Sequence, residues 1–301
     1  MRKISFCMMI LLAAVVLGPR NAWSQDQPNI VWLLSEDNSI HYTTLYGSNF
    51  GEMPNIEALA RDGLVFNHAF SCSPVCSVAR STLMTGIYAP RAGFQYHRKQ
   101  VLANLPAKAQ LLPVYLRQAG YYTSNRVKTD YNIVAGKVWN DSSRQASWRK
   151  RPDKATPFFH MQSFGMSHES SLHFSQQQMN QKKTVTSPRS VSIFPYHPDT
   201  SISRYTYARY HDRMQVVDEA MGRVIDMLRE DDLLDSTFIF YFGDHGGVLP
   251  RSKGYVYESG LHVPLVVHVP EKFRHALRRL LWGGSGKLPL GSTGKQNSCE
   301  F

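Results

Sequence analysis

The sequence predicts an α/β fold, a mainly parallel sheet flanked by helices. Three observations carry this. Short, almost wholly apolar runs recur at Asn29–Ser35, 156–164 and 238–243; such runs suit parallel strands buried on both faces. The segment 207–230 repeats apolar residues at three-to-four spacing, the mark of an amphipathic helix packed on such a sheet. Ligand-type side chains directly follow two of the runs: Glu36-Asp37-Asn38 after the first and Asp244-His245-Gly246-Gly247 after the last. In open α/β sheets that C-terminal edge is where ligands bind.

The elements follow in order. Two adjacent acids after the strand Asn29–Ser35 suit oxygen coordination of Ca²⁺ or Mg²⁺, with a solvated polar loop as the alternative. Residues 54–63 read as a short helix with Ile56, Leu59 and Ala60 on one face and Gly63 as its stop. Residues 64–70 read as a strand that leads into the loop holding Cys72 and Cys76. His97 lies further on, in a surface loop. A helix over 111–119 stops at Gly120, and a strand over 121–127 ends in Lys128-Thr129-Asp130-Tyr131-Asn132. Residues 139–154 are polar and basic, a loop. The strand over 156–164 is followed by Ser167-His168-Glu169, and 170–190 reads as an irregular surface excursion. In the helix 207–230, Tyr207, Tyr210, Met214, Val217, Met221, Val224 and Leu228 form one stripe, with Arg213, Asp218 and Arg223 elsewhere. The strand 238–243 follows, and another at 265–269 closes the pattern.

The chemistry concentrates at Cys76. Pro74 biases Ser73 toward extended backbone. From Ser77 the residues suit a short helix ending near Gly86. Cys76 therefore sits at a helix N-terminus, where free backbone N–H groups and the helix dipole favour an anion. Arg80, four residues on, shares its face. Thiol, amides and guanidinium together suit an oxyanion such as sulfate or phosphate. A buried inert thiol, or a Cys72–Cys76 disulfide, is the plainer reading.

At these residues the chain resembles the sulfatases, which carry Cys-x-Pro-x-Arg and a run ending in Leu-x-Thr-Gly. Cys76, Arg80 and Leu83-Met84-Thr85-Gly86 match, while Val78 stands in the proline's place. The resemblance runs over about residues 28–274. Glu36-Asp37 occupies the family's Asp-Asp position. Lys128 matches the lysine of Gly-x-Lys-x-His, with Asp130 replacing the histidine. His168 matches by position a segment whose prolines are missing, Asp244-His245-Gly246 matches Asp-His-Gly, and Lys253 matches a second sulfate-binding cation. Heparan N-sulfatase-like members look most similar, from Ser35-Glu36-Asp37-Asn38-Ser39, Lys128-Thr129-Asp130-Tyr131-Asn132 and Leu249-Pro250-Arg251.

The resemblance implies an alkaline-phosphatase-like fold. It implies that Cys76 is oxidised to formylglycine by a formylglycine-generating or equivalent maturation enzyme. It also implies one divalent cation, expected to be Ca²⁺, held by Glu36, Asp37, Cys76, Asp244 and His245. Catalytic roles fall to Cys76, Arg80, Lys128, Asp130, His168 and Lys253. Asp130 would be a weaker base than histidine at neutral pH. The expected activity is hydrolysis of sulfate esters or sulfamates of sugars or polysaccharides. The alternatives are a phosphoester hydrolase of the same superfamily and an inactive glycan-binding remnant.

Composition places the protein. With 43% hydrophobic and 19% charged residues, the 301-residue chain reads as soluble and globular. A formal charge of +11 would favour polyanions; charge alone selects no partner, and no nucleic acid is expected. Residues 1–24 read as a signal peptide: Arg2 and Lys3, an apolar run over 4–17 too short to span a membrane, then Ala22-Trp23-Ser24. An uncleaved anchor is the alternative. The mature chain is expected to be periplasmic or secreted, without a membrane span. Cys72, Cys76 and Cys299 leave it an odd cysteine count. Residues 25–274 form the expected catalytic domain, lacking the family's C-terminal part. Residues 275–301, glycine- and lysine-rich without periodicity, read as a frameshifted or disordered tail, and the chain as given as poorly stable and inactive.

Overall fold

A computed structural model describes residues 27–274 and 298–299. The expected signal peptide and most of the expected tail lie outside them. Among the described residues no helix is long and apolar enough to cross a membrane.

The strands are β1 (Asn29–Ser35), β2 (Gly63–Phe66), β3 (Tyr122–Arg126), β4 (Asp141–Ser143), β5 (Phe158–Phe164), β6 (Thr237–Gly243), β7 (Leu265–His268) and the two-residue β8 (Ser298–Cys299). They form one sheet in the order β4-β3-β5-β1-β6-β7-β2-β8. From β4 to β6 every pairing is parallel. β7 runs antiparallel to both β6 and β2. The fold class read from the sequence is therefore the observed one.

The helices are α1 (Pro54–Arg61), α2 (Cys76–Thr85), α3 (Ala89–Ala92), α4 (Leu112–Gln118), α5 (Gln176–Gln181), α6 (Ser201–Glu230) and α7 (Glu258–Leu261). Strand side chains alternate between faces, so β1 serves two cores. Val31 and Leu33 enter the core under α1 and α6, with Met214, Met221 and Ile239. Leu34 enters the core beside α2, with Val78, Met84 and Phe159. Cover on both faces is what lets β1, β5 and β6 be predominantly apolar, with His160, Gln162 and Ser163 the polar exceptions in β5.

Several elements differ from the sequence reading. α6 starts at Ser201, capped by the Thr200 hydroxyl, which accepts from the Ser203 N–H. Asp218, set off the apolar stripe, is 1% exposed. Its carboxylate accepts from the N–H groups of Asn55 and Ile56 at 3.1 and 3.0 Å. It thus satisfies the free amides at the start of α1, where the helix dipole favours an anion. Gly63 opens β2 instead of merely stopping α1. A Cβ there would lie 2.5 Å from the Val267 carbonyl, so the strand can approach β7 only with glycine. The basic loop 139–154 contains β4, and the excursion 170–190 contains α5, opened by a Ser175–Gln178 capping box.

The parallel register sets up the site. Ser35 pairs with Phe164 on one side and Gly243 on the other. The chain leaving β1, β5 and β6 therefore emerges at one edge, delivering Glu36-Asp37, His168 and Asp244-His245 together.

Candidate active site

Cys76 is the first residue of α2, follows extended Val75, and is fully buried. Cys72 and Cys76 are both free thiols, so the disulfide reading does not hold. The Cys76 Sγ lies 3.2 Å from His245 Nε2 and 3.9 Å from Asp37 Oδ1. Burial pushes the thiol's pKa up, but hydrogen bonds from His168 and His245 outweigh it and bring it below the usual value.

Asp37 has a left-handed backbone, φ 54°, which costs a non-glycine residue energy. Three contacts hold it. Its N–H donates to Asp244 Oδ1 at 3.2 Å, its carbonyl accepts from the Tyr210 hydroxyl at 2.6 Å, and its Oδ2 accepts from the Glu169 N–H at 2.8 Å. The Lys253 ammonium reaches both carboxylate oxygens, at 3.1 and 2.9 Å, and His245 Nε2 is 3.1 Å from Oδ1. Burial alone would raise the Asp37 pKa; His245 and Lys253 hold it well below the carboxylate range. Gly246 keeps the next turn tight: a Cβ there would meet the Ser259 carbonyl at 2.2 Å.

His245 donates from Nδ1 to the Gly246 carbonyl at 3.0 Å, which leaves Nε2 facing Cys76 and Asp37. Burial disfavours its charge, yet Asp244 and Asp37 together raise its pKa to about 10. A proton on Nε2 therefore stands where a cation could.

The donor atoms of Cys76, Asp244 and His245 lie within 4.8 Å of one another, as do those of Asp37, Cys76 and His168. Asp244 Oδ2 is buried without a hydrogen-bond donor, its nearest charged neighbour being Arg80 Nε at 3.5 Å. An orphaned carboxylate oxygen beside a second carboxylate and an imidazole fits a divalent cation. Glu36 belongs to neither cluster. It turns instead to Lys128 Nζ at 2.9 Å and Arg80 Nη2 at 3.4 Å.

Arg80 is 1% exposed and fans its donors to Ser163 Oγ at 2.8 Å, Glu36 and the Lys128 carbonyl. Burial lowers the Lys128 pKa, but nearby acids, Glu36 foremost, carry it above the usual value; Lys253 is likewise raised, chiefly by Asp37. His168 Nδ1 accepts from the Ser170 N–H at 3.2 Å, and Nε2 lies 3.3 Å from Lys253 Nζ. Its contact with Cys76 raises its pKa. Asp130 is gripped by Arg98 at two points, both 3.2 Å, and lies 3.8 Å from Lys128. Burial raises its pKa, and Arg98 more than reverses that, which leaves a poor proton acceptor. His97 is exposed, its Nδ1 3.0 Å from Ser77 Oγ.

The sequence reading missed Ser163, Glu169, Tyr210 and Arg98. Only Arg98, in the loop beside His97, carried a visible hint.

The sulfatase family model matches residues 28–283. The chain belongs to the sulfatase family. It is 30% identical over 289 residues to an ulvan-active sulfatase of Formosa agariphila, covering 82% of this chain and 48% of that protein. It is 24% identical over 273 residues to human N-acetylgalactosamine-6-sulfatase, covering 74% of this chain and 50% of that protein. The chain thus spans about half the length of these curated relatives. Among solved structures, a phosphonate monoester hydrolase of Agrobacterium radiobacter superposes with a TM-score of 0.64 at 17% identity, over 81% of this chain and 68% of that one. A sulfatase of Bacteroides fragilis described as putative gives 0.63 at 18%, over 84% and 70%. The alkaline-phosphatase-like sulfatase fold expected from the sequence is the one shared.

Proposed function

We propose that the whole protein is an exported hydrolase of sulfate esters on sugars. It would act through a formylglycine formed from Cys76 by a maturation enzyme, and through one divalent cation, Ca²⁺ in the first instance. One observation carries the reading: a buried Cys76 at the head of α2 is shared by two donor groups, one with Asp37 and His168 and one with Asp244 and His245. Arg80, Lys128, Lys253 and His168 close around the same spot. Relatives named for ulvan and for N-acetylgalactosamine-6-sulfate support a sugar substrate.

The hydrated aldehyde of formylglycine supplies the nucleophilic hydroxyl. The cation, held by Asp37, Asp244, His245 and residue 76, would favour the ionised hydroxyl and polarise the sulfate. The remaining work falls to this chain's own side chains. Arg80, one turn from residue 76, offers a fixed charge at developing negative oxygens. Lys128 and Lys253 stay protonated at neutral pH and can hold sulfate oxygens. His168, its Nδ1 occupied by the Ser170 amide, keeps its proton on Nε2 toward Cys76 when neutral. It is the group placed to protonate the leaving sugar oxygen. Glu36 and Asp130 flank Lys128 and orient it.

A full-length version co-expressed with a maturation enzyme tests this. The peptide containing residue 76 should show aldehyde in place of thiol by mass. Aryl sulfate and O-sulfated monosaccharides should be hydrolysed, with sulfamates assayed alongside. Active protein with an unmodified thiol would sink the formylglycine assignment. Aryl phosphate turned over far faster than any sulfated sugar would replace the sulfatase reading with a phosphoesterase one.

A further inference from the structure

Beside the proposed sulfate pocket lies a cation the mechanism does not use. Arg251 sits two residues before Lys253, so the two α-carbons are within about 7 Å. Its guanidinium carbon lies 4.8 Å from the Tyr196 ring centre and 4.3 Å from that of Tyr257. Tyr257 in turn stacks on Tyr255 at 6.1 Å. Two aromatic rings thus pack against the guanidinium. Among the described residues it forms no ion pair and donates no hydrogen bond, and the residue is exposed.

The loop is built to hold this side chain out. Arg251 has φ 70°, a left-handed backbone that a residue with a Cβ adopts at a cost. The conformation is pinned from three sides. The Arg251 carbonyl accepts from Ser259 Oγ at 2.9 Å. The Pro250 carbonyl is 2.8 Å from His197 Nε2, and His197 Nδ1 is 2.6 Å from the Tyr207 hydroxyl on α6. The Gly254 N–H donates at 3.0 Å to the Pro74 carbonyl in the loop before Cys76. A stacked guanidinium loses little freedom on pairing, and its free fork matches an anion at two points.

We propose that Arg251, clamped by Tyr196 and Tyr257, forms a subsite for a second anionic group on the substrate, a sulfate or carboxylate next to the sulfate being removed. The inference rests on the sulfatase reading and narrows it to polyanionic glycans.

The test is binding by the full-length, cation-loaded protein carrying Cys76→Ser, which needs no turnover. Titration calorimetry would compare a monosulfated disaccharide with the same disaccharide bearing a second sulfate on the neighbouring ring. The second sulfate should tighten binding about tenfold or more, the worth of a charge-assisted contact. Arg251→Met should remove that gain and leave the monosulfated ligand at its original affinity. Tyr257→Leu, which unstacks the guanidinium, should reduce the gain. A gain that persists in Arg251→Met overturns the subsite. So does equal weakening of both ligands, which would mean the loop has merely moved Lys253. Failure of the sulfatase reading would show separately, as absent sulfate release by the matured wild type.

Discussion

Replacing Arg80 by methionine isolates the charge balance of the site. Arg80 and Asp244 have side chains 1% and 0% exposed, and Glu36 7%. Removing one member of a buried ion pair typically costs 3–5 kcal/mol, because the other charge is left uncompensated. The surroundings decide where in that range this case falls. Glu36 would keep Lys128 at 2.9 Å. Asp244 Oδ1 would keep the N–H groups of Asp37 and His245 at 3.2 and 3.0 Å. Asp244 Oδ2 would keep no hydrogen-bond donor and lose Arg80, its charged neighbour. One carboxylate oxygen, and not two whole carboxylates, is stranded, so Arg80→Met should cost about 3 kcal/mol. Arg80→Lys should recover less than half of it. An ammonium carries the charge but cannot reach Ser163, the Lys128 carbonyl and Asp244 with separate donors. Urea unfolding of full-length, cation-free protein at constant m-value measures both. Coupling to Asp244→Asn in a double-mutant cycle should fall in the range of about 0.5–3 kcal/mol for residues in contact. A loss below about 1 kcal/mol, near the value of an exposed pair, would refute the buried, tightly balanced site described above.

Two further outcomes are expected. Ca²⁺ should raise the melting temperature of the full-length protein and chelator should reverse it. At a hundredfold excess over Kd the stabilisation is about 2.7 kcal/mol, Asp244→Asn should abolish the shift, and identical melting in both conditions would remove the cation from the site. Acid should destabilise the fold through two buried histidines. Burial pushes both His160 and His211 from 6.5 down to about 4. Each stays neutral in the fold while the unfolded chain takes up a proton, so their contribution is complete above pH 6.5 and is lost as pH falls toward 4. A drop of that size is roughly 3 kcal/mol per group. The double variant His160→Gln, His211→Gln should unfold at a lower pH than wild type, and an unchanged acid midpoint would contradict the assignment.

What could be read from the sequence follows from what each element must bury. β1, β5 and β6 are covered on both faces, so their apolar runs announce them. β4 is a three-residue edge strand of polar side chains and needs only backbone pairing, so no pattern marks it. The antiparallel direction of β7 depends on where the chain re-enters the sheet, which its own residues do not encode. α5 did carry a signal, the serine-to-glutamine capping box at Ser175 and Gln178. Asp218 looked like a surface charge because its partners, Asn55 and Ile56, lie 163 and 162 positions away. The acids at the strand ends were legible because ligands gather at that edge in this architecture. Ser163, Tyr210 and Glu169 were not, since each acts through a contact made only by folding.

Two departures from the family pattern are one feature in the folded chain. Sulfatases carry aspartate where Glu36 stands and histidine where Asp130 stands, positions far apart in sequence. In the structure both carboxylates attend the same lysine: Lys128 Nζ is 2.9 Å from Glu36 and 3.8 Å from Asp130. An aspartate at 36 would be one methylene shorter, about 1.5 Å, and would give up the Lys128 contact or draw the lysine toward β1. Asp130 is a second carboxylate partner of the same ammonium, and Arg98 fixes Asp130 through a two-point pair. The longer acid and the new acid therefore set the position of Lys128 jointly. Arg98, brought in by Asp130, also adds a cation at the rim. The histidine's charge has been exchanged for a carboxylate–guanidinium pair that keeps its form across neutral pH. Of the two imidazoles at Cys76, His245 is raised despite its burial to about 10 by Asp244 and Asp37, which leaves His168, beside Lys253, as the candidate to give and take a proton.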